Sequence, residues 1–198
     1  MAVCDAKLSG KFVRQCGHKP KQGIVKKWYF NWEDIDRVAT TTSNSGTKVE
    51  ALVLKTGTYL YPAEGNNKTS SANHALSVLD FGNGYVHTDS FTVMYRGDEE
   101  SERIQELVNG GRVCTLIQTV DSGVSGELSY HVLGLESGML VTEDTWNASE
   151  NSGTTTLTVA TQEGEEESTG KKIFMMTAAT QSTDLEETEA WITANEVV

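Results

Sequence analysis

The chain has no long apolar run, few prolines and few cysteines. Its 198 residues include two prolines, three cysteines and 37% hydrophobic residues, about the length of one domain with a core. No stretch of 18 apolar residues is present, so the sequence predicts no membrane insertion. The first residues also lack the apolar region of a signal peptide, which favours folding in a cytoplasm.

The cysteines and histidines do not form a recognisable metal motif. Three cysteines are an odd number without a secretion signal, which argues against disulfides. Cys4, Cys16 and His18 are the best metal candidates, but their spacing matches no zinc motif and a fourth ligand is missing. The other histidines are His74, His87 and His131, and histidines in strands are usually exposed or satisfied. The sequence therefore predicts no metal and no cofactor.

Catalytic motifs are also missing. No serine lies in a Gly-x-Ser-x-Gly turn, and no glycine-rich phosphate loop joins a strand to a helix. Acidic runs occur around Glu33, Glu99, Glu165 and Glu187. Such runs are usually solvated faces, so a hydrolase that uses two converging carboxylates is the least favoured hypothesis. We expect no enzymatic activity and no catalytic residues.

Charge is distributed unevenly along the chain. The net charge is −12, yet the first 30 residues hold seven basic groups and one acidic group. This pattern favours packing of a basic arm of one copy on the acidic body of another, or a flexible basic tail. Nucleic-acid binding by the arm is less favoured, because the acidic body would repel phosphate.

The clearest pattern is a strand, a helix and a strand between residues 90 and 119. Residues 90–95 alternate polar and apolar side chains, as a half-buried strand does. A helix over residues 99–109 has Asp98 as its predicted N-cap, an apolar face and two glycines after its end. Residues 112–119 form the second predicted strand, in which Cys114 is most simply a small buried hydrophobe.

The rest of the chain predicts mostly β-structure. Strands are expected at residues 26–32, 49–55, 59–62, 128–133, 140–146, 154–161 and 173–176. Residues 75–81 fit a helix or a strand, and Asn83-Gly84 favours an antiparallel hairpin turn. Residues 184–192 begin like a helix, which leaves docking on a partner or disorder open. The predicted fold class is mainly β with one short α-helix, as a β-sandwich or a small barrel.

Three regions follow from these patterns. Residues 1–27 form a basic irregular arm, residues 28–176 a β domain and residues 177–198 an acidic C-terminal extension. Neither terminal region has a core of its own, so we expect both to become ordered on contact with neighbouring subunits.

Three segments define the order of the elements. An aromatic strand leads into the turn at residues 31–36, the helix leads into Gly110-Gly111-Arg112-Val113, and residues 132–159 read VLGLESGMLVTEDTWNASENSGTTTLTV. Over residues 28–176, this order resembles the tail tube proteins of tailed bacteriophages, especially those that infect Bacteroides-type bacteria. The arm and the C-terminal extension lie outside the resemblance.

The resemblance implies a structural virion protein of a bacteriophage tail. Such proteins form rings, usually hexameric, that stack into a tube whose inner strands line a channel for DNA ejection, and related rings serve as head–tail connectors. The implied partners are further copies, neighbouring tail or neck proteins and double-stranded DNA that passes without specific binding. Assembly would occur in the host bacterial cytoplasm. An acidic body suits a DNA channel, because like charges keep DNA from binding to the wall.

Aromatic residues support a second hypothesis, a β-sandwich module of the virion that binds carbohydrate or a receptor. The residues concerned are Trp28, Tyr29, Trp32, Tyr59 and Tyr61. Exposed rings of this kind stack on sugars, whereas aromatic residues clustered in short strands more often pack in a core. Together with the charge pattern, this favours the ring protein over the binding module.

Overall fold

In the residues that the computed structural model describes, two β-sheets and two α-helices form a layered domain. These are residues 10–12, 18–63, 69–79, 82–149, 153–177 and 181–197. The strands are β1 (Ile24–Asn31), β2 (Thr41–Thr42), β3 (Lys48–Ala51), β4 (Tyr61–Pro62), β5 (Ser70–Leu79), β6 (Gly82–Val93), β7 (Val113–Thr119), β8 (Tyr130–Leu133), β9 (Leu140–Trp146), β10 (Thr155–Ala160) and β11 (Lys172–Phe174). The helices are α1 (Asp98–Val108) and α2 (Gln181–Asn195).

The two sheets differ in size and in strand direction. The large sheet has seven strands in the order β2-β3-β11-β8-β7-β1-β4, and the small sheet has four in the order β5-β6-β10-β9. Every pairing in the small sheet is antiparallel. In the large sheet β3 and β11 are parallel, whereas the other pairs are antiparallel.

The large sheet is covered on both faces, because the side chains of its strands point alternately into two apolar cores. Trp28 and Phe30 of β1 lie in a core that also contains Ile192 of α2. Phe174 of β11 meets Trp191 of α2 edge to face, with ring centroids 5.3 Å apart. Successive side chains of a strand point to opposite faces. The intervening residues of β1 therefore face the small sheet, where a second core lies around Val159.

The prediction of a mainly β fold is confirmed, and the domain is a two-sheet sandwich. The expected strand, helix and strand are β6, α1 and β7. The predicted fold class had one helix, whereas the structure has a second, α2. Leu185, Trp191 and Ile192 pack this helix against the rest of the same chain. The segment for which docking on a partner or disorder stayed open therefore belongs to the domain.

Some local predictions are wrong. Asn83-Gly84 is not a hairpin turn, since both residues lie inside β6 and pair with Val78 and Ser77 of β5. The long β5–β6 ladder overrides this local turn preference, and the connection itself lies outside the described residues. Helix α1 is capped at Gly97 rather than Asp98, because the Glu100 carboxylate accepts the Gly97 N–H at 3.2 Å.

The end of the predicted basic arm belongs to the large sheet. Strand β1 begins at Ile24, inside the region assigned to the arm. Lys27 faces inward and is 2% exposed. The arm was defined by its positive charge, which does not distinguish a solvated lysine from one paired in the interior.

Candidate assembly surface

In the described part of the chain, the small sheet ends on both sides in a long strand that has no neighbouring strand. No described strand pairs with the outer side of β5 or of β9. Both strands expose apolar side chains: Leu76 and Val78 of β5 are 56% and 76% exposed, and Trp146 of β9 is 60% exposed. Unpaired N–H and C=O groups along such edges can pair with another chain.

The strand directions allow the two edges to pair with each other between copies. Because four strands alternate in direction, β5 and β9 run in opposite directions. Strand β5 of one copy can therefore form an antiparallel ladder with β9 of the next copy. Head-to-tail contacts of this kind close into a ring when the rotation between copies allows it.

The outer face of the small sheet, which points away from the large sheet, consists mostly of small uncharged residues. The ladder register assigns to it Ser71, Asn73, Ala75 and Ser77 of β5, Val86, Thr88, Ser90 and Thr92 of β6, Thr156, Thr158 and Ala160 of β10, and Leu140, Glu143 and Thr145 of β9. Thr158 and Ser90 share a hydrogen bond across this face at 3.3 Å. Among these residues Glu143 is the only charged one, so they offer water polar groups but offer phosphate no cation.

The inner face is fastened to the large sheet by a buried ion pair. Lys27 Nζ of β1 donates to Asp89 Oδ1 of β6 at 2.6 Å, and Thr115 Oγ1 of β7 lies 3.4 Å from Oδ2. The Tyr29 hydroxyl also donates to Oδ2. Burial raises the pKa of Asp89 and lowers the pKa of Lys27, while their attraction opposes both shifts. The sequence analysis missed this network, although a carboxylate at the inward position of β6 was a usable signal.

A second polar network joins the loops at one end of the sandwich. The Glu167 carboxylate accepts the backbone N–H groups of Glu136 and Ser137 at 2.9 and 3.0 Å. In return, the Glu136 carboxylate accepts the Ser168 N–H and the Lys172 ammonium, each at 2.8 Å. These groups hold one another, so the arrangement is structural.

His87 is neutral and fully bonded in the interior. The Gly134 N–H donates to Nδ1 at 3.0 Å, and Nε2 donates to the Thr169 carbonyl at 3.1 Å. Burial lowers the pKa of His87 to about 4. The prediction that a strand histidine is satisfied is confirmed here.

A cleft of about 1030 Å³ opens between the two sheets near the beginning of β5. Lys21, Lys26 and Lys171 line it, together with His131 of β8 and with Asp121, which His18 meets at 2.7 Å. His131 is 2% exposed, and its Nδ1 has no hydrogen-bond partner among the described residues. Burial and the nearby Lys171 ammonium lower its pKa to about 4. His131 is thus buried, with Lys171 Nζ 3.4 Å from its Nε2, so the prediction for strand histidines is met only in part at this position.

Of the three metal candidates, the structure describes only His18. Cys4 and Cys16 lie outside the described residues, and His18 Nε2 lies 2.7 Å from Asp121 Oδ1. No group of three metal-ligating side chains occurs in the part of the chain that the structure describes. Neither described helix combines the length and the apolar character needed to cross a membrane.

The five aromatic residues of the binding hypothesis do not form one platform. Trp28 is 3% exposed in the core, and Tyr29 faces the opposite side of β1. Trp32 lies under the Arg37 guanidinium and donates its ring N–H to the Glu136 carbonyl. Only Tyr59 and Tyr61 among these five are exposed, at 46% and 45%.

Relatives do not add to this description. Comparisons with models of known protein families, with curated proteins and with solved structures found no match. The functional argument therefore depends on the edges, the outer face and the cleft of this chain.

Proposed function

We propose that this chain is a structural virion protein whose copies form the rings of a bacteriophage tail tube, or of a tube-like ring in the tail or neck. The observation that carries the proposal is the small sheet, whose two edges are unpaired among the described residues and run in opposite directions. Pairing of β5 with β9 of the next copy would extend this sheet through every subunit of a ring. Pairing would also remove the free edges, which in a monomer invite aggregation.

The outer face supports the role of a DNA channel. In a ring joined through β5 and β9, one face of the joined sheet lines the central hole. The face of Ser, Thr, Asn and Ala residues is free to do so, because the opposite face packs on the large sheet. Without lysine or arginine among the described residues of this face, DNA gains no affinity there from the release of counterions. Duplex DNA could then pass without being held.

The first test is the mass and shape of the purified full-length protein. Light scattering over a range of concentrations measures the mass, and electron microscopy of the same sample shows whether a hole is present. We expect rings or tubes with a hole of about 20 Å or more, which is wide enough for duplex DNA. A strict monomer at high concentration, with or without an assembled tail as a template, would contradict the proposal.

Edge variants test which strands join the copies. Replacement of Leu76 and Val78 of β5 by lysine puts charge on the free edge, and we expect this to abolish rings while the domain stays folded. Val38→Lys is the matched control, since Val38 is 95% exposed and lies outside the small sheet. Rings in the edge variant as abundant as in the control would exclude β5 as a joining strand.

Binding of carbohydrate or a receptor is the alternative function. Tyr59 and Tyr61, which remain exposed, are the side chains that would carry it. A monomer that binds to a glycan array, and loses this binding in Tyr59→Ala or Tyr61→Ala, would favour the alternative over the ring.

A further inference from the structure

Among the described residues, the charged side chains that line the cleft between the sheets are four lysines and Asp121, which lies 2.7 Å from His18, so lysines predominate there although the chain as a whole is acidic. Lys26 and Lys27 at the cleft are paired with Glu196 and Asp89, at 2.5 and 2.6 Å. Lys21 and Lys171 also line it, and neither forms an ion pair with a described carboxylate. The buried His131 adds a ring nitrogen that has no hydrogen-bond partner in the described structure. These groups favour an acidic occupant.

Helix α1 is an acidic element that lies beside the other edge of the small sheet. It contains five acidic residues and one arginine. Its inner side is attached to β9, because Leu107 packs in the same core as Val141, and Arg96, just before the helix, binds Asp144 at 3.0 Å. Its other side exposes carboxylates at Asp98, Glu99, Glu102 and Glu106, of which Glu99 pairs with Arg103 at 3.3 Å.

The ladder register places the cleft and the beginning of α1 at the same level of the sheet. Ser70 pairs with Phe91, Phe91 with Leu157, and Leu157 with Asp144. Ser70 lines the cleft at one edge, and Asp144 holds Arg96 at the other. When β9 of one copy pairs with β5 of the next copy without a stagger, the first turn of α1 of the first copy lies beside the cleft of the next copy.

We propose that the cleft receives the acidic first turn of α1 from the neighbouring copy, with Lys21 and Lys171 facing its exposed carboxylates. This inference rests on the ring proposed above. In that ring, pairing of β5 with β9 is the first contact between neighbouring copies, and α1 in the cleft is the second. The contact joins two different surfaces, so it fixes the order of copies around the ring. It also gives a chain of net charge −12 a local attraction that offsets repulsion between copies.

Charge reversal with mixing tests this contact. One variant carries Lys21→Glu and Lys171→Glu, and the other carries Glu99→Lys and Glu102→Lys. Each variant alone opposes like charges at every interface, so we expect the concentration needed for assembly to rise about fivefold or more. Mixed in equal amounts, the two variants alternate around a ring with an even number of copies, such as a hexamer, and every interface again joins opposite charges. We therefore expect the mixture to assemble as the unchanged protein does.

Controls separate this contact from general effects of charge. Lys55→Glu and Glu163→Lys change exposed residues that are not in the cleft or on α1, and we expect each to assemble normally. Far-ultraviolet circular dichroism of every variant checks that the domain is folded. If the cleft and α1 variants assemble like the controls, or if mixing does not restore assembly, the inference is wrong.

Cross-linking gives a second result that does not depend on ring formation. A carbodiimide joins a lysine to a carboxylate in direct contact, and a mixture of ¹⁵N-labelled and unlabelled full-length protein identifies links between copies by mass spectrometry. We expect links from Lys171 or Lys21 to acidic residues of α1. Rings without these links would overturn the inference and leave the proposed function standing. Links between these lysines and α1 without rings would support the contact and contradict the tube. Links from these lysines to residues 163–166 would show that another acidic segment, and not α1, occupies the cleft, and would overturn the inference.

Discussion

Lys27 and Asp89 form an ion pair that solvent scarcely reaches, with exposures of 2% and 0%. Removing two charges from water costs several kcal/mol each, which their attraction repays only with good geometry and further hydrogen bonds. Here Tyr29 and Thr115 donate to the same carboxylate. The pair therefore serves mainly to hold one sheet over the other in a single arrangement.

Lys27→Met should destabilise the domain, because it leaves the Asp89 carboxylate buried without its cation. We expect the free energy of unfolding to fall by about 3–5 kcal/mol in urea denaturation. Lys19→Met is the control, since Lys19 is exposed and its loss should change stability by less than about 0.5 kcal/mol. Equal effects of the two substitutions would show that the pair has no structural role.

His87 makes the stability of the domain depend on pH. Its pKa is about 4 in the folded protein and 6.5 in the unfolded chain, so the unfolded chain binds more protons between these values. The free energy of unfolding should therefore fall as the pH drops from 7 to 5, by about 2 kcal/mol for this histidine. Urea denaturation at both pH values measures the loss, which should be smaller in His87→Gln. A His87 pKa near 6.5 in an NMR titration would contradict the prediction.

Among the elements, the bend between β8 and β9 has a strict local requirement. Gly138 has φ +74°, and a Cβ there would lie 3.0 Å from the Trp32 ring and 3.1 Å from Arg112 Cβ. The backbone conformation disfavours a side chain, and the Trp32 ring and Arg112 would have to shift by a few tenths of an ångström to admit one. The bend brings the Met139 N–H to the Val113 carbonyl at 2.8 Å, which attaches the start of β9 to the large sheet.

Gly138→Ala should cost more than the same change at a glycine with free space. Gly57 has φ +86°, and the position that an alanine methyl group would take has nothing within 4 Å, so Gly57→Ala measures backbone strain alone. We expect that control to lose about 1–2 kcal/mol in free energy of unfolding, and Gly138→Ala to lose at least about 1 kcal/mol more. Equal losses in free energy of unfolding for the two variants, in thermal or urea unfolding, would mean that Trp32 moves aside without a cost in stability.

For the molecule as a whole, the neutral outer face predicts little affinity for DNA. The assembled protein should not retain duplex DNA in fluorescence anisotropy, even at low salt, because the described residues of the face include no cation. Thr88→Arg with Thr158→Arg should create binding that weakens as salt rises. Val38→Arg with Val124→Arg adds the same charge at exposed positions elsewhere and should bind less. Tight binding by the unchanged protein would contradict a passive channel.

Much of the fold could be predicted from local pattern. Alternation in residues 90–95 and 154–161 predicted the end of β6 and all of β10, residues 140–146 were also predicted as the strand that is β9, and two glycines marked the end of α1. Period and turn chemistry act over a few residues, so one sequence suffices to predict them. For the same reason, the predictions of the α1 cap and of the Asn83-Gly84 turn were wrong. At the cap a neighbouring carboxylate prevailed over local preference, and at the turn a long ladder did.

The sequence by itself determined the mainly β class, the excess of acidic residues and the Ser and Thr alternation of the small sheet. Only the tertiary structure decided that Lys27 meets Asp89, that His131 faces a cleft beside Lys171, and that β5 and β9 are the outer strands of the small sheet. Asp89 is 62 residues from Lys27 in the chain. Such pairings depend on how distant strands are ordered in a sheet, and local periodicity carries no information about that order.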